Sequence, residues 1–177
     1  MTVIVISGMP GAGSSTTAKL LAKKLKLKHF SLGDASKKFG YGKETEKAVT
    51  YMLSKRGSSK SFHEHMDRIQ KEAAKKGNVV IDSKLGIKML SGLYDFSVWL
   101  KCSKRIRAER IAGRDKITLG ESRRVVDEKE RLERKRWHDM YGFDYLSQKR
   151  KADIIIDSGK RTPNEIVKLI IKNMKKK

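Results

Sequence analysis

The residues best suited to chemistry stand close to the start of the 177-residue chain, in the run Gly8-Met9-Pro10-Gly11-Ala12-Gly13-Ser14-Ser15. Glycines at this spacing let successive backbone amides turn inward around phosphate oxygens. A helix that opens at the end of such a loop adds the positive end of its dipole to the same point. Gly8, Met9, Pro10, Gly11, Ala12, Gly13 and Ser14 are therefore expected to cradle phosphate oxygens, with Thr16 as a further hydroxyl donor. Ser15 occupies the position whose hydroxyl coordinates Mg²⁺ in a phosphate loop. The motif G-x-x-x-x-G-K-[ST] places a lysine where this chain has Ser14. That ammonium reaches the β- and γ-phosphates and follows negative charge into the transition state. A serine hydrogen-bonds but does not neutralise. Lys19 lies more than a turn further along the helix, so the basic segment after Lys104 is the expected source of a replacement cation.

These residues need a strand before them and a helix behind them, and the pattern supplies both. Val3-Ile4-Val5-Ile6 is a β-branched run of the kind buried on both faces of a parallel sheet. Ala18, Leu21, Ala22 and Leu25 then recur at helical spacing, with Lys19, Lys23 and Lys26 on the opposite face. Further strands are expected at residues 28–31, 79–82, 96–100 and 154–157. Phe62, Met66, Ile69 and Ala73 share a helix face that Gly77-Asn78 closes. Gly113 is expected to end a basic helix, and Gly120 to precede a long charged one over residues 121–140. Thr162-Pro163-Asn164-Glu165 carries the N-cap, the proline and the Glu of a capping box. Strands alternating with helices predict one α/β domain, a doubly wound parallel sheet with helices on both faces.

Composition narrows the function classes. Lys and Arg total 42 against 20 Asp and Glu, a formal charge of +22, with 38% hydrophobic residues. Such a charge favours polyanions: nucleotide, RNA or an anionic surface. No apolar run reaches the 18 residues of a membrane span, and the first residues lack a basic n-region. With Cys102 the single cysteine, the expectation is a soluble cytoplasmic protein without disulfides. His63 and His65, two apart on a helix, face different ways and make a poor metal pair. Trp99 and Trp137 read as packing residues.

The chain resembles the nucleoside monophosphate kinases, most closely the archaeal-type cytidylate kinases. The resemblance rests on the phosphate loop with Thr16-Thr17, on Asp67-Arg68-Ile69-Gln70, and on Trp99-Leu100-Lys101 with residues 107–114. It continues through Arg136-Trp137, Tyr141-Gly142-Phe143-Asp144 and Asp153-Ile154-Ile155-Ile156-Asp157. It implies a three-layer P-loop NTPase fold with a five-stranded parallel sheet, a small monophosphate-binding lobe over residues 33–61 and a lid over residues 110–123. It also implies transfer of the ATP γ-phosphoryl group to CMP or dCMP with Mg²⁺. Arg110 and Arg114, one helical turn apart, would converge on the phosphates as catalytic groups, with Arg136 as a further clamp. Either of the first two is the expected substitute for the absent lysine. Asp34, Lys37, Asp67, Arg68 and Lys84 would hold the monophosphate, and Asp82 with Ser15 the metal. Lys37 and Ser83-Lys84 stand where the family carries arginine and Gly-Arg, which keeps the charge but loses the bidentate fork.

Two alternatives start from the same residues. One is a nucleotide-binding protein that no longer catalyses and docks on RNA or a ribonucleoprotein through its basic surface. The other is a kinase for AMP or UMP. The charged run from Lys104 to Arg136 reads, apart from Arg110, Arg114 and Arg136, as solvated helix with i,i+3 and i,i+4 pairs. The expected unit is a monomer.

Overall fold

The computed structural model describes residues 1–39 and 44–176. In order, β1 (Val3–Gly8), α1 (Ser14–Leu25), β2 (Lys28–Ser31), α2 (Leu32–Lys37), α3 (Thr45–Leu53) and α4 (Lys60–Lys76) form the first half. Next come β3 (Val79–Asp82), α5 (Gly86–Met89), β4 (Phe96–Lys101), α6 (Lys104–Asp115) and α7 (Leu119–Tyr141). A 3₁₀ segment (Tyr145–Lys151), β5 (Ile154–Asp157), a short 3₁₀ turn (Ser158–Lys160) and α8 (Pro163–Met174) complete the chain. The sheet order is β2-β3-β1-β4-β5, and every pairing is parallel.

Side-chain alternation along the strands builds the three layers. Ile4 and Ile6 of β1 face Ala18, Leu21 and Ala22 of α1 and Ile166 and Ile170 of α8. Val3 and Val5 face the other way, onto Ala74, Leu90, Trp99, Trp137 and Tyr145. Both faces being covered is why the strands read as continuous apolar runs. Trp99 and Trp137 are core residues as their settings suggest, the latter edge-on to the Tyr145 ring at 4.8 Å between centroids.

Register carries the polar residues to one edge. Ile6 pairs with Asp82, Ser31 with Asp82, and Gly8 with Leu100. The ends of β1, β2 and β3 therefore open into one crevice, the place where ligands bind in open α/β sheets. A third apolar cluster, Val49, Met52 and Leu132 with Val125, packs α3 onto α7 and folds the 33–61 segment over that crevice. Residues 40–43 of the segment lie outside the described residues.

Two helix limits differ from expectation. Gly113 lies inside α6, which runs to Asp115 before Lys116 caps it at φ 57°. Gly120 lies in the first turn of α7, which begins at Leu119 behind a capping box of Thr118 and Glu121. A glycine costs a helix only about 1 kcal/mol, and the packing of α6 against α7 outweighs it. The linker between them is three residues, 116–118. The other capping box, Thr162 with Glu165, starts α8 with Pro163 at its first position as expected. No described helix is long and apolar enough to cross a membrane.

The phosphate loop is shaped by close approach as well as by its own turns. Gly11 has φ +76°, and a Cβ there would lie 2.8 Å from the Arg107 carbonyl oxygen of α6. Gly11→Ala is expected to cost about 2 kcal/mol, from left-handed strain plus the clash. Urea denaturation checks this, with Gly113→Ala, where nothing lies within 4 Å of the added carbon, as the neutral or stabilising control.

Candidate active site

The loop separates two concavities. The larger, about 300 Å³, is lined on the loop side by residues 8–11 with Ser14 and Ser15. The smaller, about 200 Å³, is lined by Ala12, Gly13, Thr16, Arg110, Arg161 and Pro163. Ala12 N–H donates to Met9 C=O at 3.0 Å, closing the loop's first turn, and Gly13 at φ 90° caps α1. The expected phosphate residues thus all gather at the loop, but Ala12, Gly13 and Thr16 face the smaller concavity rather than the larger.

Ser15 and Asp82 meet at the edge of the sheet. Ser15 Oγ donates to Asp82 Oδ2 at 2.5 Å, and Ser31 Oγ approaches the same oxygen at 3.4 Å. A hydroxyl and a carboxylate, both hard oxygens and both lining the larger cavity, fit a Mg²⁺ that takes one or two protein ligands and completes its shell with phosphate and water. Asp34 and Lys37 also line this cavity and form an ion pair with each other. Lys84 lines it too, its ammonium gripped by both oxygens of Glu133 at 2.7 and 2.8 Å. Glu133 is 2% exposed. Here both lysines expected at the monophosphate are present, but each is balanced by an acid.

Asp67 sits on the α4 side of the same cavity in a fixed network. Gln70, 0% exposed, donates from Nε2 to Asp67 Oδ1 at 2.8 Å and accepts from Ser83 Oγ at 2.7 Å. Tyr141 O–H donates to Asp67 Oδ2 at 2.7 Å. Burial, and then the carboxylate itself, push the Tyr141 phenol far up, so it stays a donor. The neighbouring residue does not join it: Arg68 is exposed on α4 and outside the cavity lining. One step along the helix turns a side chain by about 100°, and the inward face belongs to Met66, Asp67 and Gln70.

The three arginines expected to act together do not converge. Arg110 turns toward β5: Nη2 donates to Ser158 C=O at 2.8 Å and Nη1 lies 3.3 Å from Ser158 Oγ, beside the smaller concavity. Arg114 lines the larger cavity, donating through Nε to Asp115 Oδ1 at 2.6 Å and through Nη2 to Thr45 Oγ1 at 2.5 Å. Arg136 reaches neither. Its guanidinium donates to the carbonyls of Met52 and Gly57, the latter at 3.1 Å, and so holds the end of α3 and the loop after it. Carbonyls at a helix C-terminus are orphan acceptors, and the half-buried Arg136 guanidinium satisfies them.

Asp115 ties the end of α6 to the start of α3. It also accepts from the Thr45 backbone amide at the start of α3, at 2.8 Å. Burial raises its carboxyl, but hydrogen bonds from Arg114 and Thr45 overcome this and hold it at about 2.

Two residues that the sequence reading passed over belong to the site. Arg107, 3% exposed, donates through Nη1 to Pro10 C=O at 3.2 Å and through Nε to Cys102 C=O at 3.2 Å, and pairs with Glu130 of α7. It supports the phosphate loop from behind. Lys129 of α7 lines the larger cavity. Burial lowers its ammonium pKa, with Glu133 opposing that effect. The signal was available: Ser122, Val126, Lys129, Glu133 and Trp137 recur at helical spacing, and the other four are buried.

Comparison with known proteins gives a consistent relationship. Residues 3–160 match the model of the cytidylate kinase-like family. A cytidylate kinase of Methanocaldococcus jannaschii is 32% identical over 180 aligned positions, covering 98% of this chain and 99% of that protein. One from Sulfurisphaera tokodaii is 35% identical over 170, covering 95% and 92%. Among solved structures, the shikimate kinase of Acinetobacter baumannii in complex with shikimate superposes with a TM-score of 0.68 at 14% identity, covering 99% of this chain and 94% of that one. This last likeness concerns the fold: a parallel sheet with a phosphate loop.

Two outcomes test the supports of the site. Arg107→Met leaves Glu130 and Pro10 C=O without their partner and is expected to cost about 3–5 kcal/mol, while the double replacement with Glu130→Leu recovers a large part; urea denaturation measures both. Asp115 stabilises the fold above its ordinary carboxylate pKa of 3.8, and that contribution is lost as pH falls toward about 2. Melting temperatures through that window are expected to fall more steeply for the native chain than for Asp115→Asn.

Proposed function

The chain belongs to the cytidylate kinase-like family, and we propose from that premise and from its cavity that it is an ATP-dependent phosphotransferase forming CDP and ADP from CMP and ATP. The observation that carries the acceptor is the Asp67 network. With Gln70 and Tyr141 as its donors, Asp67 is held as an acceptor facing the larger cavity. Cytosine offers its 4-amino group to such an oxygen, whereas uracil presents a carbonyl there and would leave two acceptors opposed. A site built for a donor rejects the analogue lacking it strongly.

The roles divide between the two concavities. The planar Arg110 guanidinium, Arg161 and the Pro163 ring would flank the base of ATP in the smaller one. Its phosphates would lie across the loop amides into the larger cavity, where Lys37, Lys84 and Arg114 would meet the acceptor phosphate. In the transfer, the bond from the γ-phosphorus to its bridging oxygen breaks as one forms to a CMP phosphate oxygen. The nucleophile is already anionic and needs no general base, so the chain's task is positioning and charge balance. Ser15 and Asp82 would hold Mg²⁺, which when bound supplies neutralising charge to the phosphate oxygens. The 33–61 segment would be the acceptor lobe and residues 110–123 the lid, joined through Asp115 and Thr45 to exclude water. Arg136 would position that lobe through the end of α3.

We also propose that the working unit is a cytoplasmic monomer. Contact of the +22 surface with RNA would be a separate, non-specific property. The non-catalytic RNA-docking alternative is not favoured, since full-length relatives are cytidylate kinases.

ADP formation with CMP, dCMP, UMP, AMP and GMP as acceptors tests the reading. CMP and dCMP are expected to lead, and turnover with none of the five would overturn it. Asp67→Asn is expected to lower the CMP-to-UMP ratio of kcat/KM by at least about tenfold, because an amide can donate to the uracil carbonyl.

A further inference from the structure

The phosphate loop lacks its own cation, and the two arginines best placed in sequence to replace it are held on the smaller-cavity side of the loop and at the start of α3. Arg110 lies on the smaller-cavity side of the loop, held by Ser158. Arg114 is bound to Asp115 and Thr45, which tie it to the base of the acceptor lobe. Lys129 stands elsewhere, on the inward stripe of α7, and lines the larger cavity together with Ser14, Ser15 and Asp82. We propose that Lys129 supplies from α7 the positive charge that a phosphate-loop lysine would supply at position 14, as a catalytic residue contacting the γ-phosphoryl group of ATP. This deepens the kinase reading and rests on it for the reaction, though not for the nucleotide contact.

Three observations support the placement. Val126 and Glu133, three residues before and four after Lys129, are both buried, so the helix directs position 129 into the protein. Ser14 has a small side chain at the mouth of α1, which leaves space beside the loop for a long side chain from another element. Burial lowers the Lys129 ammonium pKa and the Arg114 guanidinium adds to that, while Glu133 and Asp115 favour its charged form. A cation held in a water-poor cavity acts more strongly on developing phosphate charge than the same cation in solvent. The charge arrives with the lid helix, so the site would gain its full cationic character only when α7 is packed against the loop through Arg107 and Glu130.

The test uses the full chain with four variants: Lys129→Met, Lys129→Arg, Ser14→Lys, and Ser14→Lys combined with Lys129→Met. ATP and ADP binding are titrated separately without acceptor, and turnover is followed with CMP. Lys129→Met is expected to weaken ATP binding about tenfold relative to ADP and to lower kcat on the order of a hundredfold. Lys129→Arg keeps the preference for ATP, and the double variant regains at least about tenfold in kcat over Lys129→Met, since the charge returns from the loop. Equal weakening of ATP and ADP would mark Lys129 as a structural residue and overturn the inference. So would an unchanged ATP-to-ADP ratio, or a double variant that regains nothing although Ser14→Lys alone is active. A native chain that binds ATP but forms no CDP would sink the kinase reading, while the ATP-to-ADP ratio of Lys129→Met would still decide this contact.

Discussion

The molecule depends on a buried guanidinium behind the phosphate loop. Arg107 bonds to Pro10 C=O in the loop, to Cys102 C=O at the end of β4, and to Glu130 on α7. Its own backbone presses so closely on Gly11 that no side chain fits between them. A loop of inward-turned amides is an unfavourable arrangement without an anion, because its dipoles point the same way. Fixing it from behind with a charge-assisted bond keeps it open. The same guanidinium makes α6 and α7 part of the loop's support, so these two helices and the phosphate loop are one packed unit.

The rest of the site follows a rule of local charge balance. Lys37 is matched by Asp34, Lys84 by Glu133 and Arg114 by Asp115. Cations left unbalanced in a half-buried cavity would repel one another and lose hydration. Acids on α2, α6 and α7 hold them in place. Such preorganised charge is the larger share of what an enzyme can offer a phosphoryl transfer. The lysines at positions 37 and 84 are fixed the same way: a carboxylate partner orients a point charge that has no fixed geometry of its own.

Much of this was legible because it is local. The β-branched runs became β1 and β3, the capping box at Thr162 and Glu165 started α8, and the glycine spacing at 8, 11 and 13 produced the loop. Gly113 and Gly120 misled in the other direction. Their small propensity penalties suggested helix ends, yet the seam where Ser122 Oγ donates to Ala108 C=O at 2.7 Å carries both helices past them.

The sequence by itself determined the α/β order, the phosphate loop and its missing lysine, and the group of proteins that the chain resembles. Each depends on residues within a turn or a strand of one another, where backbone sterics and hydrogen-bond spacing decide. Only the tertiary structure decided where long side chains end. Arg110 and Arg114 share a helix face yet part to Ser158 and Asp115, Arg136 is drawn to the carbonyls of Met52 and Gly57, and Lys129 turns from an apparently solvated run into the cavity. A flexible cation takes the best acceptor within its reach. Which acceptor that is depends on elements as distant as α3 and β5, which no spacing along the chain brings together.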